Sequence, residues 1–415
     1  MKFNRWIAIL FMLAGIYTNP VNAASLLVGK SQQYKLIQLA INAAKTGDTI
    51  LVSPGVYKEQ TIVINKTIFL IGIQYPIIDG EHTYQIMSIK ANNVLVKGFK
   101  LMHSGTSSLI DIAGIKVYDA KNVVIEDNFL EDTFFGIFLQ GATNCTIKNN
   151  SLKAYAKTDQ QSANGIHCWK CDSLYIIGNT VTGHRDGIYF EFVTHSLIWR
   201  NRSFKNSRYG LHFMFSHNDA YIGNIFQKNS AGVSVMFTHG VKMFNNVFED
   251  NWGDGCYGIF LKEITDSHIS GNTFLRNTTG IFFEGATRIV VEKNTFIKNG
   301  WAAKIQANSI QNTISNNNFL ANSFDIATNG SLVENTFNKN YWDKYEGYDL
   351  NKDGFGDVPY HPVSMFSMIV AENPTAMILF RSFMATLFDK TEKILPSLTP
   401  ENLVDKLPYM KPLRL

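Results

Sequence analysis

Residues 210–231 read GLHFMFSHNDAYIGNIFQKNSA, and residues 232–251 begin the same phrase again as GVSVMFTHGVKMFNNVFEDN. Glycine, apolar, polar, apolar, Met, Phe, a small hydroxyl residue and His return with a step of 22. Outward from this pair, the glycine place recurs at Gly114, Gly136, Gly165, Gly187, Gly258 and Gly280, with Ala303 as a ninth anchor. The successive steps are 22, 29, 22, 23, 22, 26, 22 and 23. Fourteen residues past every anchor stands an asparagine: Asn128, Asn150, Asn179, Asn201, Asn224, Asn246, Asn272, Asn294 and Asn317. A second column follows five residues later at Asn206, Asn229, Asn251, Asn277, Asn299 and Asn322.

Asparagine tolerates the left-handed backbone of a tight turn, and its amide bonds to turn backbone or to a copy of itself stacked above. Apolar residues one and three places past the anchors (Ile188 and Phe190, Leu211 and Phe213, Val233 and Val235) share one face of a strand. Phe226, Phe248, Phe274, Phe296 and Phe319 form another apolar column. Short strands turned at fixed columns and stacked coil on coil describe an all-β fold, a parallel β-helix. Crossover chirality makes it right-handed. A leucine-rich or helical repeat would need other spacing.

Upstream, Tyr34–Lys45 has helical spacing, with Leu36, Ile37, Ala40, Ile41 and Ala44 on one side. An amphipathic helix there would cover the open end of the solenoid. Met1–Ala23 has the form of an export signal: Lys2 and Arg5, an apolar core from Trp6 to Tyr17, and Val21-Asn22-Ala23 as a cleavage site. The expected plan is a signal peptide (1–23), an N-terminal cap with the first coils (24–113), regular coils (114–340), an Asp/Asn-rich closing segment (341–362) and a C-terminal apolar, partly helical arm (363–415).

A net charge of +4 gives no case for nucleic acid. Four cysteines in 415 residues are not a disulfide framework. Cys168 and Cys171 form a lone CxxC; Cys168 falls on an inward place, so a buried thiol or a local bridge is expected rather than zinc.

The surface chemistry concentrates on coils three to six. Four places past the anchor, pointing outward, stand Trp169, Glu191, Met214 and Met236. Two places past it are His167, Tyr189 and His212; seven past it, His217 and His239, with His195 one column over. Equivalent places on adjacent coils lie about 4.8 Å apart. Thioether and imidazole suit copper, thioether favouring Cu(I), so Met214, Met236, His212, His217, His239 and His167 are candidate copper ligands. Drift on a repeat surface, or methionines filling a hydrophobic contact patch, is the competing reading. The two long steps place extra residues before Gly165 and Gly258, framing these coils with loops whose rim carries Trp169, Tyr189, Trp252 and Tyr257. Such a rim fits a sugar or a protein partner. A carbohydrate-cleaving β-helix needs clustered carboxylates. The nearest set is Asp186 with His184, Arg185 and Glu191, and no neighbouring coil adds a matching acid.

In the closing segment Asp349, Asn351, Asp353, Gly354 and Asp357 resemble the start of a calcium loop. The glutamate expected at the twelfth place is Tyr360, so calcium or a polar closing turn both fit. Beyond Pro362, Ala376–Phe388 is apolar but too short to span a membrane. It could pack back as a cap, or meet a membrane surface or membrane partner; Leu403–Leu415 is expected in the same arm.

The entry AINAAKTGDTILVSPGVY (40–57), the coils and the tail NYWDKYEGYDLNKDGFGDVPY (340–360) together resemble the NosD family of periplasmic nitrous oxide reductase maturation proteins. The coils alone are shared with pectin-degrading and other carbohydrate-active β-helices; signal, Met/His coils and tail are more specific. The resemblance implies a periplasmic, non-catalytic protein, peripheral to the membrane. It implies work with an ABC transporter, whose permease the arm would engage, and with a copper chaperone lipoprotein and nitrous oxide reductase. A carbohydrate-binding or uronate-cleaving β-helix and a metal-free scaffold remain the alternatives.

Overall fold

A computed structural model describes residues 24–107, 109–155, 162–330, 334–380, 382–385, 387–388 and 403–415. The expected signal at 1–23 lies outside them. The chain winds as a right-handed parallel β-helix. Its three sheets hold 14, 12 and 13 strands, and nearly every coil adds one strand to each. The 12-stranded sheet carries the anchor glycines and is called here the anchor sheet.

The inward places are occupied as the alternation requires: Ile188, Phe190, Leu211, Phe213, Val233 and Val235 are fully buried. The phenylalanine column stacks down the interior, with Phe274–Phe296 and Phe296–Phe319 centroids 4.6 and 4.9 Å apart and Trp342 closing the pile 4.0 Å from Phe319. Anchors are glycine because the next coil passes too close for a side chain: a Cβ on Gly210 would lie 2.6 Å from the Gly232 carbonyl. The ninth anchor is Ala302 rather than Ala303. Thr279 pairs with Trp301 and Ile281 with Ala303, which sets Ala302 against Gly280. The extra residue enters between Ile305 and Ser309, where Ala286 N–H donates to Ser309 Oγ at 3.1 Å. Asn317 therefore keeps its column.

The asparagine columns are continuous hydrogen-bond ladders. In the first column each Nδ2 donates to the next Oδ1, from Asn201 to Asn224 at 3.0 Å, Asn224 to Asn246 at 3.0 Å and Asn246 to Asn272 at 3.0 Å. The ladder ends at Asn340, whose Nδ2 donates to the Asp405 carboxylate at 3.0 Å.

At the N-terminal end, helix α1 (Ile37–Ala43) buries Ile37, Ala40 and Ile41 over the first coil. It is shorter than the spacing suggests. Its first amides are capped from the following coil, Glu59 accepting from Ile37 N–H at 2.6 Å and Gln38 N–H at 3.0 Å. At the other end the expected single arm divides in two. Helix α2 (Met365–Glu372) lays Phe366 and Val370 on Trp301, Phe324 and Ala327 at the end of the anchor sheet. Residues 403–415 return to the last coil, where Leu403 and Asp405 are fully buried and Asn318 exchanges hydrogen bonds with the Leu413 backbone. That segment is a cap, not an outward arm: its carboxylate satisfies donors that an open coil end would leave without partners. Between the two parts, Ile378 and Phe383 stand out at 89 % and 78 % exposed.

Candidate metal-handling face

Two rows of side chains stand on the outer surface of the anchor sheet and a third lies past the turn at its edge, and the candidate ligands divide among them. Register sets Met214 directly beside Met236, flanked in the same row by Glu191 and Lys262. Both methionines are half-buried, with outward-facing thioethers on adjacent coils. One residue on, the chain turns through Phe192, Phe215 and Phe237 at φ of 54°, 49° and 54°. This is the left-handed region, costly for a bulky residue by roughly 1–2 kcal/mol each. Their rings stack at 5.3 and 5.1 Å, and Phe192 and Phe215 face solvent. The coils on either side place Lys170 and Glu263 at the same turn. The result is an apolar stack, partly in solvent, between turns that carry charge.

Past that turn His217 and His239 lie ring on ring, centroids 4.1 Å apart and planes 11° off parallel. His239 N–H donates to His217 Nδ1 at 3.3 Å. Partial burial, and then the neighbouring imidazole, lowers the pKa of His217, favouring the neutral ring a metal requires. His195 in the next coil is taken by Asp172, Nδ1 to Oδ1 at 2.8 Å.

His167 and His212 sit differently. They belong to an outward row that its neighbours cover, and they are buried. Phe138, His167 and Tyr189 meet edge to face at centroid distances of 4.4 and 4.8 Å, and His212 lies tilted against Tyr189 at 4.6 Å. Asn164 Nδ2 donates to His167 Nδ1 at 3.0 Å, while Arg185 holds the Asn164 oxygen at 3.3 Å. The neutral His167 ring thus carries its proton on Nε2, and burial pushes its pKa down to about 3. Beneath His212 the buried Asp186 accepts two hydrogen bonds from Arg208, at 2.9 and 2.6 Å, and lies 3.5 Å from His212 Nδ1. The Nε2 atoms of His167 and His212 are buried without a hydrogen-bond partner among the described residues. The six candidate ligands therefore form an accessible set (Met214, Met236, His217, His239) and a covered pair (His167, His212).

Of the carboxylates weighed for carbohydrate cleavage, Asp186 is fully buried and committed to Arg208, and Glu191 lies 4.0 Å from His167 Nε2. Of the framing loops, residues 156–161 lie outside the described residues. Ala163 from the first loop packs with Phe135 and Phe138, and Trp252 from the second is exposed. All four cysteines are buried free thiols; burial pushes Cys171 up to about 12. In the closing segment the oxygens turn onto their own loop: Asp349 accepts from Asp353 and Gly354 N–H at 3.2 and 2.9 Å, Asn351 from Asp353 N–H at 3.0 Å, and Asp357 from Leu350 N–H at 2.6 Å. Calcium there would have to displace these amides.

The spacing of Met and His led to the accessible set, but the phenylalanine stack beside it was missed. Its signal was in the repeat, a Phe at the same place on three successive coils where the flanking coils carry charge or glycine. The covering of the histidine row had no signal in one coil's sequence.

Residues 154–347 match the family described as periplasmic copper-binding protein (NosD). The chain is 26% identical over 355 residues to the probable ABC transporter binding protein NosD of Stutzerimonas stutzeri, covering 81% of this chain and 80% of that protein. The protein of the same name from Pseudomonas aeruginosa is 26% identical over 353 residues, covering 80% and 82%. These matches bear out the family resemblance. Among solved structures, the surface adhesin PfbA of Streptococcus pneumoniae superposes with a TM-score of 0.56 at 12% identity, covering 79% of this chain and 92% of its own. The A-module of mannuronan C-5 epimerase AlgE6 from Azotobacter vinelandii superposes at 0.52 and 15% identity, covering 72% and 93%. At these identities the likeness is one of fold alone.

Proposed function

We propose that this NosD relative is an exported, non-catalytic accessory protein that docks partners and hands on copper while the copper centre of nitrous oxide reductase is built. The observation that carries the reading is that the Met214–Met236 pair, the Phe192–Phe215–Phe237 stack and the His217–His239 pair follow one another along the same successive coils, each partly open to solvent. Two thioethers on adjacent coils suit Cu(I), and their partial exposure suits ligands that must be exchanged rather than kept. The stacked phenylalanines would supply the apolar contact through which a copper chaperone or the enzyme seats itself. The exposed apolar residues around Ile378 and Phe383 fit a permease of an ABC transporter, and no helix among the described residues is long and apolar enough to cross a membrane.

The test is an anaerobic Cu(I) titration of the mature protein against a competing chelator. Met214→Ala/Met236→Ala is expected to weaken Cu(I) at least ten-fold, and His217→Ala/His239→Ala by a smaller factor. Wild-type protein that leaves Cu(I) with the chelator would leave a metal-free scaffold. Release of unsaturated sugar from a uronate polymer would favour the enzyme.

A further inference from the structure

Nearer the N-terminal end, the turns of three coils, two before the first regular anchor and one just after it, bring His82, His103 and Asp132 together. Their donor atoms all lie within 4.8 Å of one another, the one such trio of His, Cys, Asp or Glu side chains among the described residues. His103 and Asp132 occupy the same place on adjacent coils, each directly following a strand paired in register (Lys100–Met102 with Phe129–Glu131). His82 is tied to them through its backbone, its N–H donating to the His103 carbonyl at 2.8 Å. The two imidazoles face each other with centroids 4.6 Å apart, and His82 Nδ1 lies 3.9 Å from Asp132 Oδ2.

The orientation of His103 is the decisive detail. Its Nδ1 lies 3.0 Å from Asp79 Oδ1, and Asp79 also accepts from Glu81 N–H at 3.0 Å. With Nδ1–H donating to the Asp79 carboxylate, Nε2 is the ring nitrogen left with its lone pair. A carboxylate behind a histidine in this way orients a metal ligand and raises its basicity. His82 and Asp132 border a cleft of about 180 Å³ with Ser104, Thr106, Thr133 and Tyr155 on its wall, room for water or an incoming ligand atom.

We propose that His82, His103 and Asp132, with Asp79 behind His103, form a second metal site, selective for a borderline divalent cation such as Zn2+ or Cu2+. Two nitrogens and a carboxylate oxygen without sulfur disfavour Cu(I), which separates this site chemically from the methionine face. Ligands around such an ion sit roughly 3.4 Å apart on a shell of about 2.1 Å. Rotation of the exposed His82 side chain closes the remaining gap. The cleft supplies the open position, so the bound ion would keep an exchangeable ligand.

The test titrates the mature protein with Zn2+ against a chromophoric chelator, and with Co2+ to read the visible bands of nitrogen–oxygen coordination. His103→Ala and Asp132→Asn are each expected to weaken Zn2+ at least 100-fold and to abolish the Co2+ bands, with the near-UV circular dichroism of the folded protein unchanged. Asp79→Asn should weaken Zn2+ 10- to 100-fold through the orientation of His103. Met214→Ala/Met236→Ala should leave Zn2+ binding untouched, so failure of this site and failure of the Cu(I) face are read independently. Folded His103→Ala and Asp132→Asn proteins that bind Zn2+ as the wild type does would overturn the proposal, as would a wild type that takes no Zn2+ at micromolar concentration.

Discussion

At the scale of single residues, Asp219 shows what the coil interior does to charge. It lies two residues past His217, with Oδ1 accepting Ser196 N–H at 2.8 Å and Oδ2 buried without a partner. Burial pushes its pKa up to about 8, so at neutral pH the folded protein holds it largely as the acid. An unfolded aspartate titrates near pH 3.9. Between these values the folded state binds the extra proton, so Asp219 leaves stability untouched below about pH 4 and erodes it as pH rises toward 8. Asp219→Asn removes that slope. The same column already accepts asparagine at Asn312, whose Oδ1 takes Ile289 N–H at 2.8 Å and whose Nδ2 reaches Ala286 O at 3.0 Å. Thermal melts should show the variant more stable at pH 9, on the order of 2 kcal/mol, and nearly equal to wild type at pH 4. A wild-type stability that stays flat from pH 4 to 8 would refute the assignment.

At the scale of elements, the ladder is the unit whose parts cannot be valued singly. Asn246 accepts from the amide and the side chain of Asn224 at 2.9 and 3.0 Å, and donates to Tyr221 O at 3.0 Å and Asn272 Oδ1 at 3.0 Å. Asn246→Ala leaves two buried donors and a carbonyl without partners. The expected loss is about 2–4 kcal/mol, against a few tenths for exposed Lys242→Ala in the neighbouring strand. Urea titration distinguishes the two. The turn phenylalanines behave in the opposite sense: Phe215→Gly relieves a left-handed backbone and exposes no core. It should cost little stability while weakening whatever partner docks on the stack.

At the scale of the whole molecule, a solenoid is held by its ends as much as by its middle, because each coil touches only its neighbours. Asp405 is the terminal acceptor. Its Oδ2 takes Asn340 N–H, Asn340 Nδ2 and Trp342 Nε1 at 2.9, 3.0 and 3.1 Å, and its Oδ1 takes Lys339 N–H at 3.0 Å. Asp405→Ala is expected to open the last coils first. Hydrogen exchange should quicken from residue 313 onward while strands around Gly210 keep their protection. Uniform acceleration along the chain would instead mean that the solenoid unfolds as one unit.

The repeat determined the sheet assignments, the inward columns and the asparagine ladders by itself. Each is a local rule applied once per coil, and repetition in register turns a weak local preference into a collective one. It also placed Met214 beside Met236 and His217 beside His239, because equal places on successive coils must be neighbours. Ala302 replaced Ala303 as anchor because pairing follows backbone hydrogen bonds, not the spacing to the next asparagine. Tertiary structure alone decided the rest. Burial of His167 and His212 depends on side chains from adjoining rows, and the meeting of His82, His103 and Asp132 on how the first regular coil stacks on irregular ones before it. The closing of the last coil by Asp405, 65 residues beyond Asn340, depends on a tail with no repeat at all. Contacts between unlike segments leave no period to read, so only the folded chain reveals them.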